Sequence, residues 1–137
     1  MGESARCALK ELPALLERLI PLRERLMGGI LERIPDAQIN GDRQRRLPGH
    51  LSVSFPGADA ESLVLALDLE GIEVGVGSAC TARTMKTSHV LKAMGVEDSL
   101  GLGTITLSLH AETTQEEIDR VLEVLHNKFK WEVVSSR

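Results

Sequence analysis

The sequence predicts one α+β domain in which helices cover a small, mostly antiparallel sheet. Segments with apolar residues at helical spacing alternate with short segments of period two, and the connections between them are short. A chain of 137 residues is long enough for one core and too short for two comfortable ones. The predicted order is helix, strand, helix, strand, helix, strand, helix, so we treat residues 1–137 as a single domain.

The first helix is predicted from Leu9 to Ile34, where apolar residues recur at helical spacing. Pro13 fits a helix start, and Pro21 indicates a kink or a break between two shorter helices. The pair Gly28-Gly29 weakens the last turns, and Pro35-Asp36 closes the segment. A turn at residues 40–42 then follows.

The middle of the chain predicts a strand, a helix and a second strand. Residues 51–55 alternate between apolar and serine side chains, the period of a strand buried on one face. Asp59 or Ala60 opens the next helix, and Gly71 ends it. Residues 72–76 predict a short strand that leads into a glycine-rich stretch.

The last third predicts a short helix, a strand and a long helix. Thr87-Ser88 caps a helix over residues 89–94 that ends at Gly95, and residues 104–109 alternate as a strand. Residues 113–117 carry a capping-box signature. The helix after it places one apolar stripe on Ile118, Val121, Leu122, Leu125 and Phe129.

Composition narrows the range of partners. The chain has 16 basic and 20 acidic side chains and a net charge of −4, which argues against a general nucleic-acid binder. The basic run Arg43, Arg45 and Arg46 has no aromatic residue nearby and is interpreted as a solvated loop. No apolar run is long enough for a membrane span and no signal peptide is recognised, so we expect a cytoplasmic protein without a membrane partner.

Two cysteines occur, and neither has the spacing of a metal ligand set. A bridge between Cys7 and Cys80 is not expected in a reducing compartment. Cys7 lies near the start of the chain and is interpreted as a bystander.

Cys80 lies among small residues where the predicted strand leads into a loop. These residues are Gly75, Gly77, Ser78, Ala79 and Thr81. Arg83 and His89 follow, and a helix begins just beyond, so cations and a helix N-terminus favour the nucleophilic thiolate. The alternative is a buried cysteine that packs as a small hydrophobic residue, and the residues alone leave both interpretations open.

Five segments, in order, resemble the C-terminal small domain of cysteine desulfurases. They are Leu-Pro-Gly-His-Leu-Ser-Val-Ser-Phe at 47–55, Gly-Ile-Glu-Val at 71–74, Gly-Ser-Ala-Cys-Thr at 77–81, Ser-His-Val-Leu-Lys-Ala-Met-Gly at 88–95 and Thr-Gln-Glu-Glu-Ile-Asp at 114–119. Cysteine desulfurases are fold type I, pyridoxal-phosphate (PLP) enzymes of the class V aminotransferase group. The resemblance covers nearly the whole chain.

The resemblance implies a role for Cys80 in sulfur transfer. In that family PLP acts as the electron sink, the loop cysteine takes the sulfur of L-cysteine as a persulfide, and alanine is released. A movable loop then presents the sulfur to an acceptor, such as a scaffold protein of iron–sulfur cluster assembly. The glycines Gly75 and Gly77 suit such a loop.

Two departures from the family pattern limit what this chain is expected to do. The large domain that holds PLP is not in this sequence, and Lys10, Lys86, Lys92, Lys128 and Lys130 match no PLP-binding motif. We therefore expect no cofactor and no activity without a large PLP domain, present in the same protein or as a split partner chain. The aligned position of the family's carboxylate-binding arginine is Thr106, and His110-Ala111 replace a glycine and a basic residue.

Two other interpretations remain open. The chain is alternatively a non-enzymatic module, either a free-standing persulfide carrier or an interaction or regulatory domain derived from this fold. It is alternatively part of another member of the same aminotransferase group, such as a selenocysteine lyase, because substrate choice depends on the absent domain.

Overall fold

The computed structural model describes residues 2–76 and 87–135, with only the backbone described for residues 131–135. The helices are α1 (Gly2–Arg33), α2 (Ala60–Asp68), α3 (His89–Ala93), α4 (Asp98–Gly101) and α5 (Gln115–Ser135). The strands are β1 (Gln38–Ile39), β2 (His50–Ser54), β3 (Gly75–Val76) and β4 (Thr104–Ser108). The α+β prediction is confirmed, and β1 and α4 are two elements that the sequence did not predict.

Helix α1 is longer and more continuous than predicted. It begins at Gly2 and contains both Pro13 and Pro21, so the predicted start at Pro13 is wrong, and of the kink or break predicted at Pro21 the break is wrong. An internal proline costs a helix about 3 kcal/mol through a lost hydrogen bond and a ring clash. Pro21 lies on the exposed side of α1, and the buried Leu19 and Leu26 on either side of it hold both segments of the helix against the body, which offsets this cost.

Gly29, near the end of α1, lies against α5. A Cβ atom at Gly29 would lie 2.5 Å from Cδ1 of Leu122, so a larger residue there would require the Leu122 side chain to shift. Helix α1 continues through both glycines to Arg33, and the weakening of its last turns stays a prediction. Arg25 also pairs with Asp119 across this contact at 2.8 Å, and the order of the two contacts shows that α1 and α5 run side by side in the same direction.

The four strands form one antiparallel sheet in the order β1-β2-β4-β3. The strand predicted over residues 72–76 is reduced to Gly75–Val76. The reason is local: Gly71 takes a φ of +74°, and Ile72 donates its backbone N–H to the carbonyl of Leu67. This hydrogen bond closes the end of α2 and leaves Ile72 outside the sheet.

One face of the sheet carries the hydrophobic core. Leu51, Val53, Ile105 and Leu107 are all buried and alternate along β2 and β4 as predicted. Helices α1, α2 and α5 contribute most of the rest of this cluster, chiefly leucine and isoleucine. The ring of Phe55 stacks on Phe129 of α5 with centroids 4.7 Å apart.

Polar caps begin three of the helices at the predicted places. The Asp59 carboxylate accepts the N–H of Ser62 at 2.8 Å at the start of α2, and Ser88 caps α3. Thr114 and Glu117 form the predicted capping box, since each side chain accepts the other residue's backbone N–H. Helix α4 was missed because it is one turn long and has no side-chain cap.

The turn at residues 40–42 is also confirmed, with a φ of +81° at Gly41. Arg46 donates to the backbone carbonyls of Asn40, Gly41 and Asp42 at 3.2, 3.3 and 2.8 Å. Burial and the nearby Arg23 guanidinium lower the pKa of Arg46. Arg46 therefore holds the loop in shape.

Among the described residues, none of the helices combines the length and the apolar character that crossing a bilayer requires.

Candidate functional site

The second face of the sheet is polar, and we call it the hydroxyl face. Its side chains are those of His50, Ser52 and Ser54 on β2 and Thr104, Thr106 and Ser108 on β4. They share a face because they alternate with the core residues and pair directly in register, His50 with Ser108, Ser52 with Thr106, and Ser54 with Thr104. Burial is graded along it: Ser54 and Thr104 are buried, whereas His50 and Ser108 are exposed.

Asn40 organises the buried end of the hydroxyl face. Its amide nitrogen donates to Ser52 Oγ at 3.1 Å and to Ser54 Oγ at 2.8 Å, and Ser54 and Thr104 share a hydrogen bond of 2.6 Å. Asn40 also donates its backbone N–H to the carbonyl of Ser52, which extends the pairing of β1. No described buried side-chain nitrogen or oxygen lacks a partner, so the network satisfies the polar groups that the sheet buries there.

Thr106 lies at the centre of the sheet, between Ser52 on β2 and Gly75 on β3. Gly75 is the first residue of the predicted cysteine loop segment, and a Cβ atom there would lie 3.9 Å from Cβ of Thr106, an ordinary contact distance. The structure therefore brings together two of the predicted site residues, Gly75 and Thr106. It also shows that Gly75 is held by strand pairing.

The chain after residue 86 is anchored by Thr87. Its buried hydroxyl donates to the backbone carbonyl of Asp98 at 2.9 Å, and a Cβ atom at Gly101 would lie 2.1 Å from Cγ2 of Thr87. Lys92 pairs with the Asp98 carboxylate at 2.9 Å, and this ammonium holds the pKa of Asp98 below its usual range. His89, predicted to support the thiolate, is exposed at the first residue of α3.

The other predicted site residues lie outside the described residues. These are Gly77, Ser78, Ala79, Cys80, Thr81 and Arg83. The segment 77–86 joins β3, where Gly75 and Val76 pair with β4, to the buried Thr87. The role of Cys80 stays a prediction. The structure describes Val76 and Thr87, the residues on either side of its segment.

The aminotransferase class-V family model matches residues 10–121, which is most of the chain. This chain belongs to the class-V aminotransferase family. The match includes β2, β4 and the whole segment between them. The resemblance to this family is thus confirmed.

Curated relatives are named cysteine desulfurases. The cysteine desulfurase IscS of Clostridium botulinum is 42% identical over 127 residues, which are 91% of this chain and 32% of the relative. Cysteine desulfurase IscS 1 of Archaeoglobus fulgidus is 40% identical over 124 residues, 90% of this chain and 32% of that protein. The chain thus spans about one third of the length of the relatives that it matches.

Solved structures agree with the fold. A NifS-like protein superposes with a TM-score of 0.78 at 31% identity, over 91% of this chain and 31% of that one. A NifS-like protein from Rickettsia africae gives 0.76 at 25% identity, over 88% of this chain and 31% of that one. The predicted fold type I architecture is confirmed.

Class-V aminotransferases use PLP, which they hold through an imine to a lysine. Lys10, Lys92, Lys128 and Lys130 are all exposed, and Lys92 is paired with Asp98. Such a lysine needs an enclosed site that lowers its pKa. None of these four lysines lies in such an enclosed site, and the described residues hold no cluster of three metal-ligating side chains.

Sequence reasoning missed Asn40, which it assigned only to a turn. The signal available was the polar residue at every second position of both predicted strands, 51–55 and 104–109. That alternation indicates a second face whose buried hydroxyl groups need hydrogen-bond partners.

An open cleft of about 780 Å³ lies beside Asn40, between β1 and the segment Met94–Glu97.

Proposed function

We propose that this chain is the C-terminal, sulfur-accepting part of a cysteine desulfurase, with Cys80 as the residue that takes the sulfur. The observation that carries the proposal is the 42% identity over 127 residues to a protein named cysteine desulfurase. The Gly-Ser-Ala-Cys-Thr run at 77–81 supports it, as does the pairing of Gly75, two residues before that run, with Thr106.

The transfer step balances without an added oxidant. The Cys80 thiolate attacks the sulfur of L-cysteine, and a sulfur–sulfur bond forms as the carbon–sulfur bond breaks. The electron pair of that bond stays on carbon, which takes a proton to become alanine, and the persulfide remains on Cys80. PLP, held in the part of a desulfurase that this chain does not match, supplies the electron sink. The sulfur then passes to an acceptor thiol or scaffold protein.

A hybrid enzyme tests this proposal. This chain replaces the matching third of the Clostridium botulinum relative, and alanine and sulfide are measured with L-cysteine as substrate and a dithiol that reduces the persulfide. We expect activity that Cys80→Ser lowers by at least about a hundredfold, while Cys7→Ser, the matched control at the exposed cysteine, changes it by less than about twofold. A PLP-loaded hybrid that releases neither product, or an equal loss in both variants, contradicts the proposal.

We propose that Thr106 weakens binding of the substrate carboxylate. It stands where the resemblance implies an arginine, and a hydroxyl cannot form the bidentate, charge-assisted pair. In the hybrid, Thr106→Arg is expected to lower KM for L-cysteine by at least about tenfold. Ser108→Arg places the same charge on the same face and serves as the control. Equal effects of the two variants would show a general charge effect.

The second candidate function is a free-standing persulfide carrier. It is favoured by the exposed lysines of the described part and by Thr106. The test mixes this chain with an intact desulfurase and L-cysteine, and measures sulfur on Cys80 by mass spectrometry. Transfer to Cys80 without a joined large domain supports the carrier, and an unmodified Cys80 argues against it.

A further inference from the structure

The hydroxyl face carries one basic residue, His50, among its six side chains. The other five are serines and threonines. A hydroxyl donates one neutral hydrogen bond, whereas an imidazole donates one hydrogen bond when neutral and two, with a positive charge, when protonated. His50 is therefore the residue of this face that can pair with an anion.

The backbone at His50 is held at a defined place in the sheet. His50 pairs with Ser108, and the N–H of Leu109 donates to the carbonyl of Gly49 at 2.7 Å. A Cβ atom at Gly49 would lie 2.5 Å from the carbonyl oxygen of Leu109, so a side chain there would force the two backbones apart. The position of the imidazole is thus set by close backbone contacts, while the His50 side chain itself is exposed.

The basic residues near His50 are bonded to the protein itself. Arg23 donates to the carbonyl of Leu47 at 3.2 Å, and Arg46 donates to three backbone carbonyls of the turn at residues 40–42. The Nδ1 atom of His110 accepts a backbone N–H at 3.2 Å in the turn after β4. These three residues hold the loops around them, whereas the imidazole of His50 lies at the solvent-exposed end of the hydroxyl face.

His50 lies diagonally across the β2–β4 pair from Thr106. It pairs with Ser108, two residues after Thr106 on β4, and such diagonal neighbours lie about 7–8 Å apart. A carboxylate fits between the hydroxyl of one and the imidazole of the other. Thr106 is half-buried and pairs with Gly75, five residues before Cys80 in the sequence. A carboxylate bound there lies where the buried part of the hydroxyl face meets its exposed end.

We propose that His50 and Thr106 together bind the substrate carboxylate, with His50 supplying the positive charge. This inference rests on the proposed function for the nature of the ligand, because L-cysteine carries one carboxylate. A charge-assisted hydrogen bond is roughly twice as strong as a neutral one, so His50 contributes more to binding than the Thr106 hydroxyl. The pair binds more weakly than a guanidinium because its two donors lie on different strands and do not form one rigid fork.

Equilibrium binding of L-alanine tests this pair without sulfur chemistry. L-Alanine has the carboxylate and the amine of the substrate but no thiol, and its methyl ester lacks the carboxylate charge. Both compounds are titrated by calorimetry into the PLP-loaded Clostridium botulinum hybrid that carries Cys80→Ser. We expect His50→Ala to raise the Kd of L-alanine at least about fivefold and that of the ester by less than about twofold. His50→Lys keeps a positive charge and is expected to restore most of the affinity for L-alanine.

His126→Ala, at an exposed histidine of α5, is the matched control and is expected to leave both Kd values unchanged. Equal changes for L-alanine and its ester in His50→Ala, or no change for either, overturn the proposal. A hybrid that binds neither compound overturns it as well. Failure of the proposed function is a separate result, because it shows as absent release of alanine and sulfide or as release that Cys80→Ser does not lower.

Discussion

The two faces of the sheet are built on different physics, and neighbouring residues show the contrast. Val53 and Ser54 are both fully buried on β2, yet Val53 packs in the aliphatic core and Ser54 is held by Asn40 and Thr104. Burial of the Val53 side chain is favourable by itself. Burial of the Ser54 hydroxyl is tolerated only because directional hydrogen bonds replace those to water. The core face is thus stabilised by apolar side chains that fill its volume, and the hydroxyl face by hydrogen-bond partners at the right positions.

The largest expected effect comes from the core face. Phe55→Ala removes a buried ring that stacks on Phe129, and we expect a loss of about 3–5 kcal/mol in the free energy of unfolding. Urea denaturation followed by circular dichroism measures it. Leu65→Ala, at an exposed leucine, is the control and should change stability by less than about 0.5 kcal/mol. Similar losses in both variants would contradict the assigned core.

The hydroxyl face gives a smaller effect with a different signature. Ser54→Ala removes one of the two hydroxyl acceptors of the Asn40 amide and the 2.6 Å hydrogen bond to Thr104, and should cost about 1–3 kcal/mol. Adding Thr104→Val removes the second hydroxyl of the shared hydrogen bond, so we expect the double variant to lose less than the sum of the single losses. A double-mutant cycle measures this coupling. Additive losses would show that the two hydroxyls do not depend on each other.

This contrast also explains what the sequence could predict. Hydrophobic period, caps and glycine stops depend on neighbouring residues, so β2, β4, α2, α3 and the start of α5 were predictable. The network around Asn40 was not, because its members come from β2, from β4 and from the residue after β1, which lie 12 to 50 residues apart in the chain. The continuity of α1 through Pro21 and the close approach of Leu122 to Gly29 depend likewise on contacts with distant residues. The proposed role of Cys80 rests on the sequence alone.

The smallest expected effect lies outside both faces, at the cap of α2. Hydrogen bonds from Ser62 lower the pKa of Asp59. Asp59→Ala should cost about 1 kcal/mol at neutral pH. Because the folded pKa is the lower one, this contribution is complete above the unfolded pKa of about 4 and is lost as pH falls through the folded value. Urea unfolding of both proteins from pH 7 to pH 2 should show the difference shrinking; a constant difference would contradict the cap's charge dependence.

The most direct test of the central claim is to locate the sulfur itself. The Clostridium botulinum hybrid is given L-cysteine, stopped with an alkylating reagent and analysed by mass spectrometry of its peptides. The account predicts one additional sulfur atom on Cys80, none on Cys7, and alanine in the solution. Alanine release with the sulfur on another residue, or with Cys80 unmodified, would contradict it.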